Sequence, residues 1–86
     1  MMFEFDNQKS KNNNAKHGID FIQAQFLWKD PNCIVISART VGEKRYLIIG
    51  NYNGKIWSAI FTIRNQKIRI ISVRRSRQDE EKIYKS

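Results

Sequence analysis

One cysteine, one proline, one histidine and four glycines are all that 86 residues contain of these types. A lone cysteine excludes an internal disulfide, and Cys33 with the lone His17 falls short of a structural zinc site. The flanking Ile34, Val35 and Ile36 point to a buried, inert thiol rather than a nucleophile. No apolar run approaches the ~20 residues that span a bilayer, and Met1-Met2-Phe3-Glu4-Phe5-Asp6 is not a secretory signal, so no membrane association and a cytoplasmic location are expected. There is no acidic cluster suited to two-metal catalysis, no phosphate-cradling glycine loop and no nucleophile elbow. Nucleotide-driven and hydrolase-elbow chemistry therefore have no residues to use, a magnesium nuclease is disfavoured, and neither metal nor cofactor is expected. Repeats and linkers are missing as well, which leaves one domain, 1–86.

What the sequence does have is positive charge: sixteen Lys plus Arg against eight Asp plus Glu, a net +8. Such an excess on a small body attracts polyanions, and an acidic partner would relieve its self-repulsion.

Met2 to Phe5 alternates as a first strand. Asp6 is placed to cap a helix from Asn7 to Lys16, with Gly18 to end it. That helix is polar nearly all round, which points to a surface task beyond core packing. Asp20 and Gln23 have capping-box spacing ahead of a second helix, whose core stripe is Phe21, Ala24, Leu27 and Trp28 and which Asp30-Pro31 stops. Strands follow over Cys33–Ala38, Glu43–Tyr52, Lys55–Ile63 and Ile68–Arg75. Asn53-Gly54 favours a type I′ hairpin, and residues 64–67 make a less typical turn. The last strand is apolar on both faces, the mark of an interior position. Ser76, with Asp79 three residues on, is placed to cap a closing helix. The order is β-α-α-β-β-β-β-α: an α+β fold, a mostly antiparallel sheet with two N-terminal helices and one C-terminal helix.

Three places carry residues for chemistry. From Arg64 to Arg77 the chain holds Arg64, Lys67, Arg69, Arg74, Arg75 and Arg77 with no acid between them. Guanidinium forks bind phosphate oxygens in pairs and stay charged. In a regular strand Arg69 and Arg75 share one face and Arg74 takes the other, so one site uses them all only if the strand ends or bulges near Val73. Lys16-His17-Gly18 holds the only side chain with an ordinary pKa near neutrality; His17 is either a helix-end cap or a general acid–base. Glu43 and Arg45, two apart on one expected strand, suit a carboxylate held ionised by a guanidinium, or a plain surface pair. RNA cleavage by its own 2′-hydroxyl needs only a proton acceptor, a proton donor and cations for the phosphate.

Phe3-Glu4-Phe5-Asp6, Lys9, Asn13 and Lys16-His17-Gly18 resemble the opening of the BrnT toxins, roughly F-x-W/F-D-x-x-K-x-x-x-N-x-x-K-H-G. Phe21, Ala24, Asp30-Pro31, Glu43-x-Arg45 and Gly50 continue it. Arg69-Ile70-Ile71-Ser72-Val73-Arg74-Arg75 is similar to the closing R-I-I-S-A-R, with Glu80 and Tyr84 in the final helix. Val73 stands in place of the family's alanine, and Ser76-Arg77 in place of Ala-Thr, which shifts the helix cap by one residue. The resemblance implies a RelE-like ribonuclease toxin of a type II toxin–antitoxin pair. It also implies a BrnA-like ribbon-helix-helix antitoxin, with operator DNA bound only through the complex.

The expected activity is thus a metal-independent endoribonuclease that inhibits translation. His17 and Glu43 are the candidate proton-transfer groups, and Arg45, Arg69, Arg74 and Arg75 the candidate phosphate ligands. Lys16, Tyr84, Arg64 and Lys67 are candidate substrate contacts. A non-catalytic RNA- or DNA-binding module is the alternative, and a protein that works mainly through its partner is a third.

Overall fold

Asp6 caps helix α1 (Asn7–His17) by accepting from the Lys9 amide at 3.0 Å, directly after a two-residue strand β1 (Phe3–Glu4). Gly18 ends the helix at φ 76°, its amide donating to the Asn14 carbonyl. The Asp20–Gln23 capping box is complete in both directions. In this computed structural model, which describes residues 2–39 and 41–86, the segment it opens is not one helix. A four-residue α2 (Phe21–Ala24) tightens into a 3₁₀ turn (Gln25–Lys29). Phe21, Ala24 and Leu27 are buried as the stripe predicts, with Trp28 half-buried.

Four further strands follow: β2 (Ile34–Ser37), β3 (Tyr46–Tyr52), β4 (Lys55–Arg64) and β5 (Lys67–Arg75). They pair antiparallel in sequence order, and β1 adds to β5 in parallel, giving β1-β5-β4-β3-β2. The architecture is the expected α+β sheet with two helical segments before it and one after. Strand β5 lies inside the sheet, as its two apolar faces require. Both tight hairpins have positive φ at their two central residues, Asn53 and Gly54 (55° and 80°) and Asn65 and Gln66 (50° and 64°). The second turn is therefore type I′ like the first, although it lacks glycine. Strand β2 is at the edge; Val35 and Ile36 are exposed, and Cys33 is half-buried rather than buried. Burial still pushes its thiol up, away from thiolate chemistry.

The main core lies on one sheet face, where Ile19, Phe21, Ala24 and Leu27 meet Ile48, Ala59, Phe61, Ile70 and Val73. Gly50 allows the approach, since a Cβ there would stand 3.1 Å from the Leu27 carbonyl oxygen. On the other face Leu47, Ile49 and Ile56 form a smaller cluster with Ile60 and Tyr84. Tyr84 belongs to α3 (Gln78–Lys85). Helix α3 starts one residue later than Ser76 predicts. The Ser76 hydroxyl is taken by Ser58 at 2.7 Å, so Arg77 holds the cap position and its amide donates to Glu80 at 2.9 Å.

The polar helix α1 has a structural use that its composition hides. Ser10 Oγ accepts from the Phe21 amide at 2.9 Å. Asn13 Oδ1 accepts from the Val73 amide, and its Nδ2 donates to the carbonyls of Val73 and Ile19, all within 3.1 Å. The short β1 pairs only with Ile68 and Arg69, so farther along β5 the Asn13 carboxamide does what a neighbouring strand's peptide would do. Buried polar groups are thereby satisfied.

Candidate functional site

The arginine-rich strand is not regular. Phe61 faces Ile70, but Ile60 faces Ser72, so Ile71 is an extra residue in a β-bulge. The bulge overturns the regular-strand expectation for the arginines. Arg69, opposite Thr62, and Arg74, opposite Ser58, share the face that carries α3. Arg75, opposite Trp57, takes the face that carries α1.

Three candidate arginines on the α3 side are each bonded to a glutamate. Arg69 Nη1 donates to Glu4 at 2.9 Å, across the parallel β1–β5 pairing. Arg64 grips Glu43 with Nε and Nη2, at 2.7 Å for the shortest contact. The Glu43–Arg45 pairing expected from a common strand does not form, because β3 begins only at Tyr46 and Arg45 is left exposed. The Arg64 hydrogen bond holds the Glu43 carboxyl below the usual carboxylate range. Arg74 makes a two-armed bond to Glu80, 2.8 Å on each arm, and Glu80 is only 7% exposed. Against the cost of burial, the Arg74 fork with the Arg77 amide and Ser58 hydroxyl pulls the Glu80 carboxyl down to about 2. Tyr84, expected at the substrate, donates to Asp30 Oδ2 at 2.6 Å, which pushes the phenol up to about 12. The Asn32 and Asn51 amides also donate to Asp30, so Tyr84 ties α3 to the loop before β2 and to β3.

The remaining candidates separate to the two ends of the sheet. Arg64 and Lys67 pair beside the β4–β5 hairpin, with Glu43 gripped by Arg64 there and Lys44 fixed by Thr62 through a 2.7 Å hydrogen bond, which puts Arg45 at this end. Arg75 lies opposite Trp57, seven residues along β4, about 23 Å away. Asn13 is clasped to Val73; His17 follows one helical turn (about 6 Å) beyond Asn13 at the end of α1, and Arg75 follows two residues (about 6.6 Å) beyond Val73 on β5.

Trp57 organises that end. Its Nε1 donates to the Tyr52 carbonyl at 3.2 Å, and the Arg75 guanidinium lies over its ring at 5.5 Å. In the sequence Trp57 is one residue of the expected Lys55–Ile63 strand and Asn13 a motif residue, with nothing to indicate either supporting role. Exposed Arg77 stands two residues beyond Arg75.

Acids are mostly spent on architecture. Glu4, Glu43 and Glu80 pair with arginines, Asp6 and Asp20 cap helices, and Asp30 holds Tyr84. The surplus of positive charge therefore falls on cations without such partners, among them Arg75 and Arg77. No cluster of three or more potential metal-ligating side chains is found among the described residues, and no helix there is long and apolar enough to cross a membrane.

The fold is thus that of a small α+β domain with a net charge of +8, and such an excess attracts polyanions. The chain matches, over residues 5–80, the family of the ribonuclease toxin BrnT of type II toxin–antitoxin systems, and belongs to that family. No curated protein matches it.

Proposed function

We propose that the chain is a metal-independent endoribonuclease that inhibits translation, and that the scissile phosphate lies at the sheet end bearing His17 and Arg75. The observation that supports this is the Asn13 clasp, which ties α1, four residues before the chain's one imidazole, to β5, two residues before Arg75, an arginine with no glutamate partner among the described residues. His17 exchanges a proton with the 2′-hydroxyl or with the departing 5′-oxygen, and Arg75, with Lys16, meets the charge that grows on phosphorus. Arg64, Arg69, Arg74 and Glu43 act as struts and charge ballast on this assignment, and Tyr84 fixes α3. A BrnA-like antitoxin covers the basic surface, and operator DNA is reached only through that complex.

The test is incubation of the purified chain with labelled RNA in EDTA. Fragments ending in 2′,3′-cyclic phosphate are expected, lost in His17→Ala and Arg75→Ala and kept in Glu43→Ala. Cleavage that survives His17→Ala removes the imidazole from the mechanism. RNA that binds but stays intact, in translating extracts as well, leaves a binding module.

A further inference from the structure

A second feature crosses the same end of the molecule. The Phe26 and Tyr52 rings stack with centroids 5.5 Å apart, and Lys29 Nζ sits 5.0 Å from the Phe26 centroid. Tyr52 connects through its carbonyl to Trp57, whose ring carries Arg75. Lys29, Phe26, Tyr52, Trp57 and Arg75 thus form one ribbon in which aromatic rings lie between two cations. Trp57 is nearly buried and serves as a plate for Arg75, whereas Phe26 is 47% exposed. Beside the Phe26–Tyr52 pair lies a cavity of about 460 Å³, whose wall is completed by Asn32, Asn51 and Asn53 together with Pro31 and the hydrogen-bonded Asp30–Tyr84 pair.

We infer that this cavity is a nucleobase subsite for single-stranded RNA, placed so that a base resting on Phe26 and Tyr52 delivers a neighbouring phosphate to Arg75. The chemistry fits a nucleotide at each level. The exposed Lys29 side chain can swing off the Phe26 ring to let a base stack there, the asparagine amides supply both donors and acceptors for a base edge, and the cation at each end meets backbone phosphate. A duplex is excluded, because its bases are already stacked on one another. The inference rests on the ribonuclease reading and adds to it where the substrate lies and which strand state it must have.

Binding is measured in EDTA on a His17→Ala background, so that RNA survives, using a short single-stranded RNA and the same RNA with one abasic nucleotide at each position in turn. Phe26→Leu keeps apolar bulk and removes the π-face; Phe26→Tyr keeps both. Phe26→Leu is expected to weaken RNA binding roughly ten- to a hundredfold, the size of one base–aromatic stack, and Phe26→Tyr to restore it. One abasic position should cost the same in the parent and nothing further in Phe26→Leu. Equal affinity of Phe26→Leu and the parent for every RNA overturns the subsite, and cleavage by the His17-containing protein then still stands on its own. The subsite is also overturned if Phe26→Leu loses only affinity for a protein partner. RNA that is neither bound nor cut by the unmodified chain removes the ribonuclease reading and the subsite together.

Discussion

Neutralising Glu80 is the most quantitative perturbation the fold offers. Glu80 accepts both arms of Arg74, the Ser58 hydroxyl and the Arg77 amide, so one carboxylate joins β4, β5 and the start of α3. Its fall from an ordinary 4.5 to about 2 corresponds to about 3 kcal/mol. Solvent reaches Arg74, which is 28% exposed, and screening reduces this to about 2 kcal/mol. For a domain of this size the whole stability is only about 4–13 kcal/mol. Because the folded-state pKa is depressed, the contribution is complete above pH 4.5 and is lost as pH falls through 4.5 towards 2. Glu80→Gln keeps the shape without the charge. Urea unfolding at pH 7 should therefore show Glu80→Gln about 2 kcal/mol less stable, a midpoint lower by about 1–2 M. At pH 3 less than half of that difference should remain. Taking the difference between the two proteins cancels the other carboxylates, which titrate equally in both. A difference that stays constant between pH 7 and pH 3, or that is below about 0.5 kcal/mol at pH 7, refutes the electrostatic account.

Asn13→Ala should leave the Val73 amide and the Val73 and Ile19 carbonyls without their side-chain partner, at a cost of about 3 kcal/mol in urea unfolding. The same variant should lose RNA cleavage under conditions where it is still folded, since α1, which carries His17, is no longer clasped to β5; full activity in folded protein would contradict the proposed use of the clasp. Tyr84→Phe should cost about 1 kcal/mol in urea unfolding. In a spectrophotometric titration the phenol ionising near pH 12 should vanish in that variant, and if all high-pH absorbance change remains, Tyr84 is not the raised tyrosine.

Local signals were legible in the sequence. The Asp6 and Asp20 caps, the Gly18 stop, the Asn53-Gly54 hairpin and the buried Phe21, Ala24 and Leu27 stripe depend on neighbours a few positions apart, and all are in place. Contacts across long separations were not. Nothing near Arg69 points to Glu4, 65 positions away, and nothing near Asn13 points to Val73, 60 positions away. Ser76 and Asp79 had the spacing of a capping box, but a hydroxyl from β4 claimed the serine. Glu43 and Arg45 failed as a pair because periodicity overestimated the length of β3, and face arguments hold only inside a strand. The bulge, raised from the sequence only as a condition near Val73, falls at Ile71. No glycine marks it, and an Ile-Ile step reads as ordinary interior strand.

That single unpaired isoleucine also governs how the Arg74-Arg75 dipeptide is read in related chains. Side-chain direction in a strand is a parity, and an extra residue inverts it for everything downstream. Here the inversion gives Arg74 to Glu80 and Arg75 to the open end of the sheet. Two proteins aligned perfectly at this dipeptide, one with the bulge and one without, would assign its two members opposite jobs. An arginine's role therefore passes between relatives only together with the backbone irregularity upstream of it, and grafting the dipeptide onto a regular strand would exchange strut and ligand without changing either residue.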